Sequence, residues 1–184
     1  MIKGWTWLNE PATWTADGDD ALTLTTDPDT DFWRITEHGF IRDTGHLLGA
    51  DLEVDFTLTA TFAGDYREQY DQAGIAIRID AENWIKSGIE LVDGRQQISA
   101  VVTRGFSDWS VAPVPGPRTV TVKADRSADA VTIRYGLDGA EPATLLRVAY
   151  LPPAVTVRAG VMAASPTGTG FTTRFTRVAL APRG

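Results

Sequence analysis

The segment 54–62, VDFTLTATF, alternates apolar and polar residues without a break. Successive side chains of an extended chain point to opposite faces. Val54, Phe56, Leu58, Ala60 and Phe62 therefore share one face, and Asp55, Thr57, Thr59 and Thr61 share the other. The same period of two returns in TVTVKA (119–124), VTIRY (131–135), VTVRAGVMA (155–163) and the closing GFTTRFTRVAL (170–180). Thr and Val suit such pleated surfaces. No stretch carries a convincing helical stripe at i, i+3, i+4 spacing. The best helical candidate is a single turn near DYREQYD (65–71), where a loop fits as well.

Turn-forming stretches punctuate the runs: ADGDD, DPDTD, VDGRQ, VPGP, LDG, LPP and SPTGTG. About twelve strands with short spacers predict an all-β chain, a β-sandwich or barrel with one face of each sheet in the core. VAPVPGP (111–117) is the stretch densest in Pro and Gly, yet the same kind of strand sequence lies on both sides of it. Residues 1–184 thus read as a single domain without internal repeats.

Composition narrows the function classes. A net charge of −7 argues against a non-specific nucleic-acid binder, which needs a basic face. No apolar run approaches the ~20 residues that span a membrane. The start, MIKGWTWLNEPATW, shows no apolar secretory segment, and the chain has no cysteine. A cytoplasmic location is the expectation. Zinc-ligand spacing, a phosphate-cradling glycine loop and a nucleophile elbow are all missing, so no cofactor and no metal are expected.

One strand raises a functional question. In WIKSGIE (84–90), Ile85, Ser87 and Ile89 form a core-like face, whereas Trp84, Lys86, Gly88 and Glu90 form the other. The preceding DQAGIAIRID (71–80) repeats the pattern, with Gln72, Gly74, Ala76 and Arg78 opposite its aliphatic residues. A hairpin of the two would expose a shallow floor of Gly74, Ala76 and Gly88 with charges around it. Lys86 and Glu90 stand about 13 Å apart along the strand at ~3.3 Å per residue, which excludes a simple ion pair along it. They could flank a bound molecule, since a glycine within a strand marks a bulge or a close approach. The plain alternative is a solvated face.

Other candidates carry less. Of six tryptophans, Trp5, Trp7 and Trp14 read as packing residues, while Trp33 and Trp109 lie beside polar groups where aromatic faces could stack on a sugar. His38 and His46 with Asp43 between them do not make a persuasive metal site. Glu53 and Asp55 are a weak match to a glycosidase pair, which needs carboxylates ~5–9.5 Å apart. DPDTDFW (27–33) lacks the sixth-position Gly and twelfth-position Glu of an EF-hand loop, where Phe32 and His38 stand.

Taken in order, TDPDTDFWRIT, DTGHLL, YDQAGIAIRID, NWIKSGIE, VVTRGFSDWS, LDG and AASPTGTGFTTRF resemble the DUF1349 family, which includes the fungal regulation of enolase protein. The resemblance runs from Trp5 to about Val178. It implies a concanavalin A-like jelly roll, a two-sheet antiparallel β-sandwich. The family brings no established activity. Its fold superfamily binds or cleaves sugars on the concave sheet face, though fold alone does not fix function. Asp31, Trp33, Arg34, His46, Tyr70, Asp71, Gln72, Trp84, Lys86, Glu90, Ser107, Asp108 and Trp109 match its signature positions.

The leading expectation is a carbohydrate or sugar-like small molecule bound by Trp33, Arg34, His46, Gln72, Lys86, Glu90, Asp108 and Trp109. An alternative is an enzyme acting on a sugar derivative, with Glu90 as acid or base, His46 or Asp71 as its partner, and Lys86 stabilising negative charge. A third is a protein-interaction module that regulates a metabolic enzyme, which a flat exposed apolar patch would mark.

Overall fold

The computed structural model describes residues 2–183 and contains sixteen strands and no helix. In chain order they are β1 (Thr6–Leu8), β2 (Thr13–Ala16), β3 (Leu22–Thr25), β4 (Phe32–Arg34), β5 (Ile41–Asp43) and β6 (His46–Leu52). Then come β7 (Phe56–Gly64), β8 (Gln72–Arg78), β9 (Asn83–Val92), β10 (Arg95–Arg104) and β11 (Phe106–Pro113). The chain closes with β12 (Val120–Ser127), β13 (Ala130–Leu137), β14 (Thr144–Tyr150), β15 (Val157–Ala164) and β16 (Thr172–Pro182). The number exceeds the dozen expected because several strands have only three or four residues, too few to show a period.

Two seven-stranded antiparallel sheets form a jelly-roll sandwich, as the alternation and the resemblance implied. The first runs β1-β6-β15-β8-β9-β10-β11 and the second β14-β13-β12-β7-β16-β3-β2. In β7, Phe56, Leu58, Ala60 and Phe62 are fully buried, and Thr57, Thr59 and Thr61 face outward. Val54 lies outside the strand and is exposed. Ile75, Ile77, Ile85, Ile89, Ile98, Val122 and Val161 from the two sheets join these in one core. Residues 65–71 form a loop rather than a helical turn.

Local chemistry sets the turns. Arg95 pairs with Val92, so β9 and β10 are joined by the two residues Asp93 and Gly94. Both have positive φ, 52° and 71°. This is the geometry that matches the twist of a hairpin, and Asp-Gly is its preferred sequence.

The departure from expectation is on the outer face of the first sheet. It is not open. The short β4–β5 hairpin and its flanks cross it, from the end of β15 to the β10–β11 turn. Thr30 N–H bonds to Ser165 O at one end, and Arg34 N–H bonds to Ser107 Oγ at the other. Underneath lies a second apolar cluster of Phe32, Trp33, Leu47, Ala76, Trp84, Val101, Met162 and Ala164. β8 and β9 are therefore buried on both faces. The half of β9 read as exposed is covered: Trp84, Lys86 and Glu90 are 3%, 5% and 6% exposed.

The glycines on that face lie opposite each other, Gly74 with Gly88. A Cβ on Gly88 would collide with the Ala73 carbonyl oxygen, and one on Gly74 with that of Ser87. Their requirement is close strand approach, and the exposed floor of Gly74, Ala76 and Gly88 expected from the sequence is not formed, because the cover buries that face and none of the three lines the pocket.

Candidate functional site

Between the cover and the first sheet is a pocket of about 180 Å³, which opens to solvent. β9 supplies Lys86 and Glu90 to its lining, and β11 supplies Trp109. The cover supplies Asp31, Trp33, His38, Phe40 and Arg42, and neighbouring loops supply Tyr70, Pro166 and Thr167.

The floor is charged and paired. Lys86 Nζ donates to Asp31 Oδ1 at 3.1 Å and to the Phe32 carbonyl at 2.8 Å. It also lies 5.6 Å from the Trp84 ring. Asp31 Oδ1 further accepts the Phe32 N–H at 2.8 Å and Gln72 Nε2 at 3.3 Å. An isolated buried ion costs several kcal/mol in lost hydration, so such a pair is stable only with this extra hydrogen bonding. Each fully buried large apolar side chain returns roughly 1.5–3 kcal/mol. Phe32 and Trp33 of the cover pack with Trp84 of β9 beside the pair and help to hold the cover down.

Glu90 is not part of that pair. Its Oε2 accepts the indole N–H of Trp109 at 2.9 Å. Burial pushes its carboxyl above the usual glutamate range, and the nearby Lys86 ammonium offsets part of that rise.

The walls are aromatic. Trp33 meets Trp109 edge to face at 6.4 Å between ring centres, and Tyr70 meets Trp109 similarly at 6.1 Å. His38 stacks on Phe40 at 5.5 Å and 10°. Trp33 donates its indole N–H to the Thr36 carbonyl, which fixes the turn that carries His38. That turn is strained. Ile35 and Glu37 have φ of 63° and 62°, and in the separate loop at 65–71 Tyr70 has 70°. Left-handed backbone at such residues costs about 1–3 kcal/mol each and clusters at binding sites.

The residues expected from the sequence divide into two groups. Trp33, Lys86, Glu90 and Trp109 line the pocket. Arg34, His46, Asp71, Gln72 and Asp108 do not. Arg34 is held by Glu82 at 2.9 Å and by the Gly105 carbonyl at 3.1 Å. His46 is buried between backbone groups: Asp27 N–H donates to its Nε2, and its Nδ1–H donates to Asn9 O. With both nitrogens occupied, it is no partner for Glu90. Asp71 accepts the N–H groups of Arg67 and Glu68 and the hydroxyl of Ser165, so it shapes the loop that presents Tyr70. Gln72 sits one layer back, bonded to Asp31 and to Tyr70 O. Asp108 points to the opposite face of β11 from Trp109 and is exposed.

Five lining residues escaped attention as a set: His38, Phe40, Arg42, Pro166 and Thr167. The first three are spaced by two in HGFIR, a strand-face spacing that could have grouped them. Among the described residues no three His, Asp or Glu side chains cluster as metal ligands. The exposed apolar residues Leu145, Val148 and Tyr150 lie on β14, at the edge of the other sheet.

Known proteins extend these observations. Regulation of enolase protein 1 of Saccharomyces cerevisiae is 39% identical over 181 residues, covering 97% of this chain and 90% of its own. The crystal structure of a functionally unknown protein from Saccharomyces cerevisiae superposes with a TM-score of 0.92 at 38% identity, covering 100% of this chain and 99% of its own. Two more distant structures share the fold alone. The GH43 protein BlXynB of Bacillus licheniformis has a TM-score of 0.72 at 14% identity, over 97% of this chain and 37% of its own. The carbohydrate binding module CBM66 of Bacillus subtilis has 0.55 at 14%, over 97% and 95%. The model of DUF1349, a protein family of unknown function, matches residues 7–183, and the chain belongs to that family.

Proposed function

We propose that the pocket binds a carbohydrate or a sugar-like small molecule. The observation that carries this reading is the combination of aromatic walls, Trp33, Tyr70 and Trp109, with a floor of fixed polar groups, Lys86, Asp31 and Glu90. Aromatic faces suit the C–H faces of a sugar ring, and fixed donors and acceptors suit its hydroxyls. The volume, about 180 Å³, is below the ~300 Å³ at which pockets for drug-sized ligands begin, so one ring is the natural size. The carbohydrate-binding module among the structural neighbours supports the reading at the level of fold.

A thermal-shift screen with mono- and oligosaccharides tests it. A ligand at 100 times its dissociation constant adds about 2.7 kcal/mol to stability. Trp109→Ala, which removes one wall, is expected to abolish the shift. If no sugar stabilises the protein at millimolar concentration, the reading is wrong.

One observation favours a second reading, an enzyme acting on a sugar derivative. Burial holds the Glu90 carboxyl above its ordinary range at the pocket floor, the direction expected of a carboxyl that acts as a proton donor. Neither His46 nor Asp71 reaches it, so Glu90 would act with Lys86 alone. On a panel of glycosides and oxidised sugars, Glu90→Gln is expected to lose turnover. Equal turnover by both forms removes Glu90 from the mechanism.

A further inference from the structure

Among the described residues the pocket contains one guanidinium or ammonium cation that no acid balances. Lys86 is matched by Asp31. Arg34, on the same cover, is matched by Glu82, and Arg78 beneath it by Asp43. Arg42 lines the pocket, yet among the described residues no carboxylate oxygen lies within 4.0 Å of it.

Its guanidinium is nonetheless fixed. Nη1 donates to the Pro166 carbonyl at 2.8 Å, and the group lies 5.1 Å from the centre of the Phe40 ring. Phe40 is itself stacked on His38. One of five N–H donors is used, which leaves a planar fork placed without an anion. In the ladder Arg42 stands opposite Trp33, so the cation and an aromatic wall belong to one face of the β4–β5 hairpin.

The remaining charges permit an anion here. Asp31 is neutralised by Lys86. Glu90 is the other facing carboxyl, and its burial favours the protonated form, which lowers its opposition to an incoming negative group.

We infer that the ligand carries an anionic group, a carboxylate or a phosphate on a sugar-sized body, and that Arg42 reads it. This rests on the sugar reading of the pocket. Fixed guanidinium groups recognise both anions through paired N–H donors, and a charge-assisted bond of this kind contributes roughly ten- to a hundred-fold in affinity.

Titration calorimetry on the whole protein tests it with matched probes: D-glucose, D-glucuronate and D-glucose 6-phosphate, and D-galactose with D-galacturonate. At least one anionic member is expected to bind ten-fold or more tighter than its neutral parent. The better anion tells carboxylate from phosphate. Arg42→Gln is expected to bring the ratio of the two dissociation constants to within about two-fold, and Arg42→Lys to restore part of it. Melting curves of each variant check that it is folded. If wild type binds a neutral sugar and its acid equally, or Arg42→Gln keeps the preference, the inference about the anion falls and the sugar reading stands. If none of the five probes binds, both fall.

Discussion

Glu90 and Lys86 lie on one face of one strand, and both are almost fully buried, yet their situations differ. Lys86 has an acid and a carbonyl to hold, and Glu90 has only neutral donors. The consequence is a pH dependence. Below the ordinary glutamate value of 4.5, folded and unfolded chains both carry the proton, and Glu90 adds no slope. Above it the unfolded chain ionises first while the folded chain keeps its proton. Stability then falls with rising pH, by up to about 1.4 kcal/mol per unit, until the raised folded value is passed. Glu90→Gln cannot ionise and keeps an oxygen for the Trp109 indole. Urea unfolding from pH 4 to 8 is therefore expected to show the variant gaining on wild type as pH rises. A difference that stays flat would mean that the carboxyl is well solvated. Lys86 behaves in the opposite sense to replacement. Removing it would leave Asp31 buried and alone, a loss that in comparable pairs reaches about 3–5 kcal/mol.

Among the elements, the β8–β9 pair shows what could be read from sequence and what could not. Its aliphatic inner face and the face that carries its glycines follow from a period of two, whereas the pairing of Gly74 with Gly88 appears only in the structure. The burial of its outer face does not. Ala76, Lys86 and Glu90 look like a wet surface until β4 and β5 are laid over them, and three-residue strands are too short to announce themselves. The same period, applied to SDWS, separates Asp108 from Trp109 and groups Ser107 with Trp109. Reading motif neighbours together obscured that. Arg34, His46 and Asp71 show the other limit, since a signature position that fixes a loop and one that faces a ligand look alike in a sequence. For the glycines the expectation is sharp. Gly88→Ala drives a methyl group into the Ala73 carbonyl, on backbone locked by ladder bonds from both sides. A loss of at least about 3 kcal/mol is expected in chemical denaturation, well above the ~1 kcal/mol typical of single substitutions. A loss below that typical value would show that the two strands can part locally.

For the molecule as a whole, two apolar clusters of unequal size lie on either side of one sheet. The larger joins the two seven-stranded sheets, and the smaller joins the first sheet to its cover. The sandwich was legible because the larger cluster is written as repeated alternation over many strands. The pocket was only half legible, because half of its lining comes from the cover. Trp33, His38, Phe40 and Arg42 all belong to residues 33–42, and none of them is in the larger cluster. The proposed pocket thus draws on two kinds of sequence, residues 33–42 of the cover and Lys86, Glu90 and Trp109 of the sheet beneath it. If the pocket binds as proposed, a new turn grafted between β4 and β5 is expected to change what it accepts while the larger core cluster, which contains none of residues 33–42, keeps its packing.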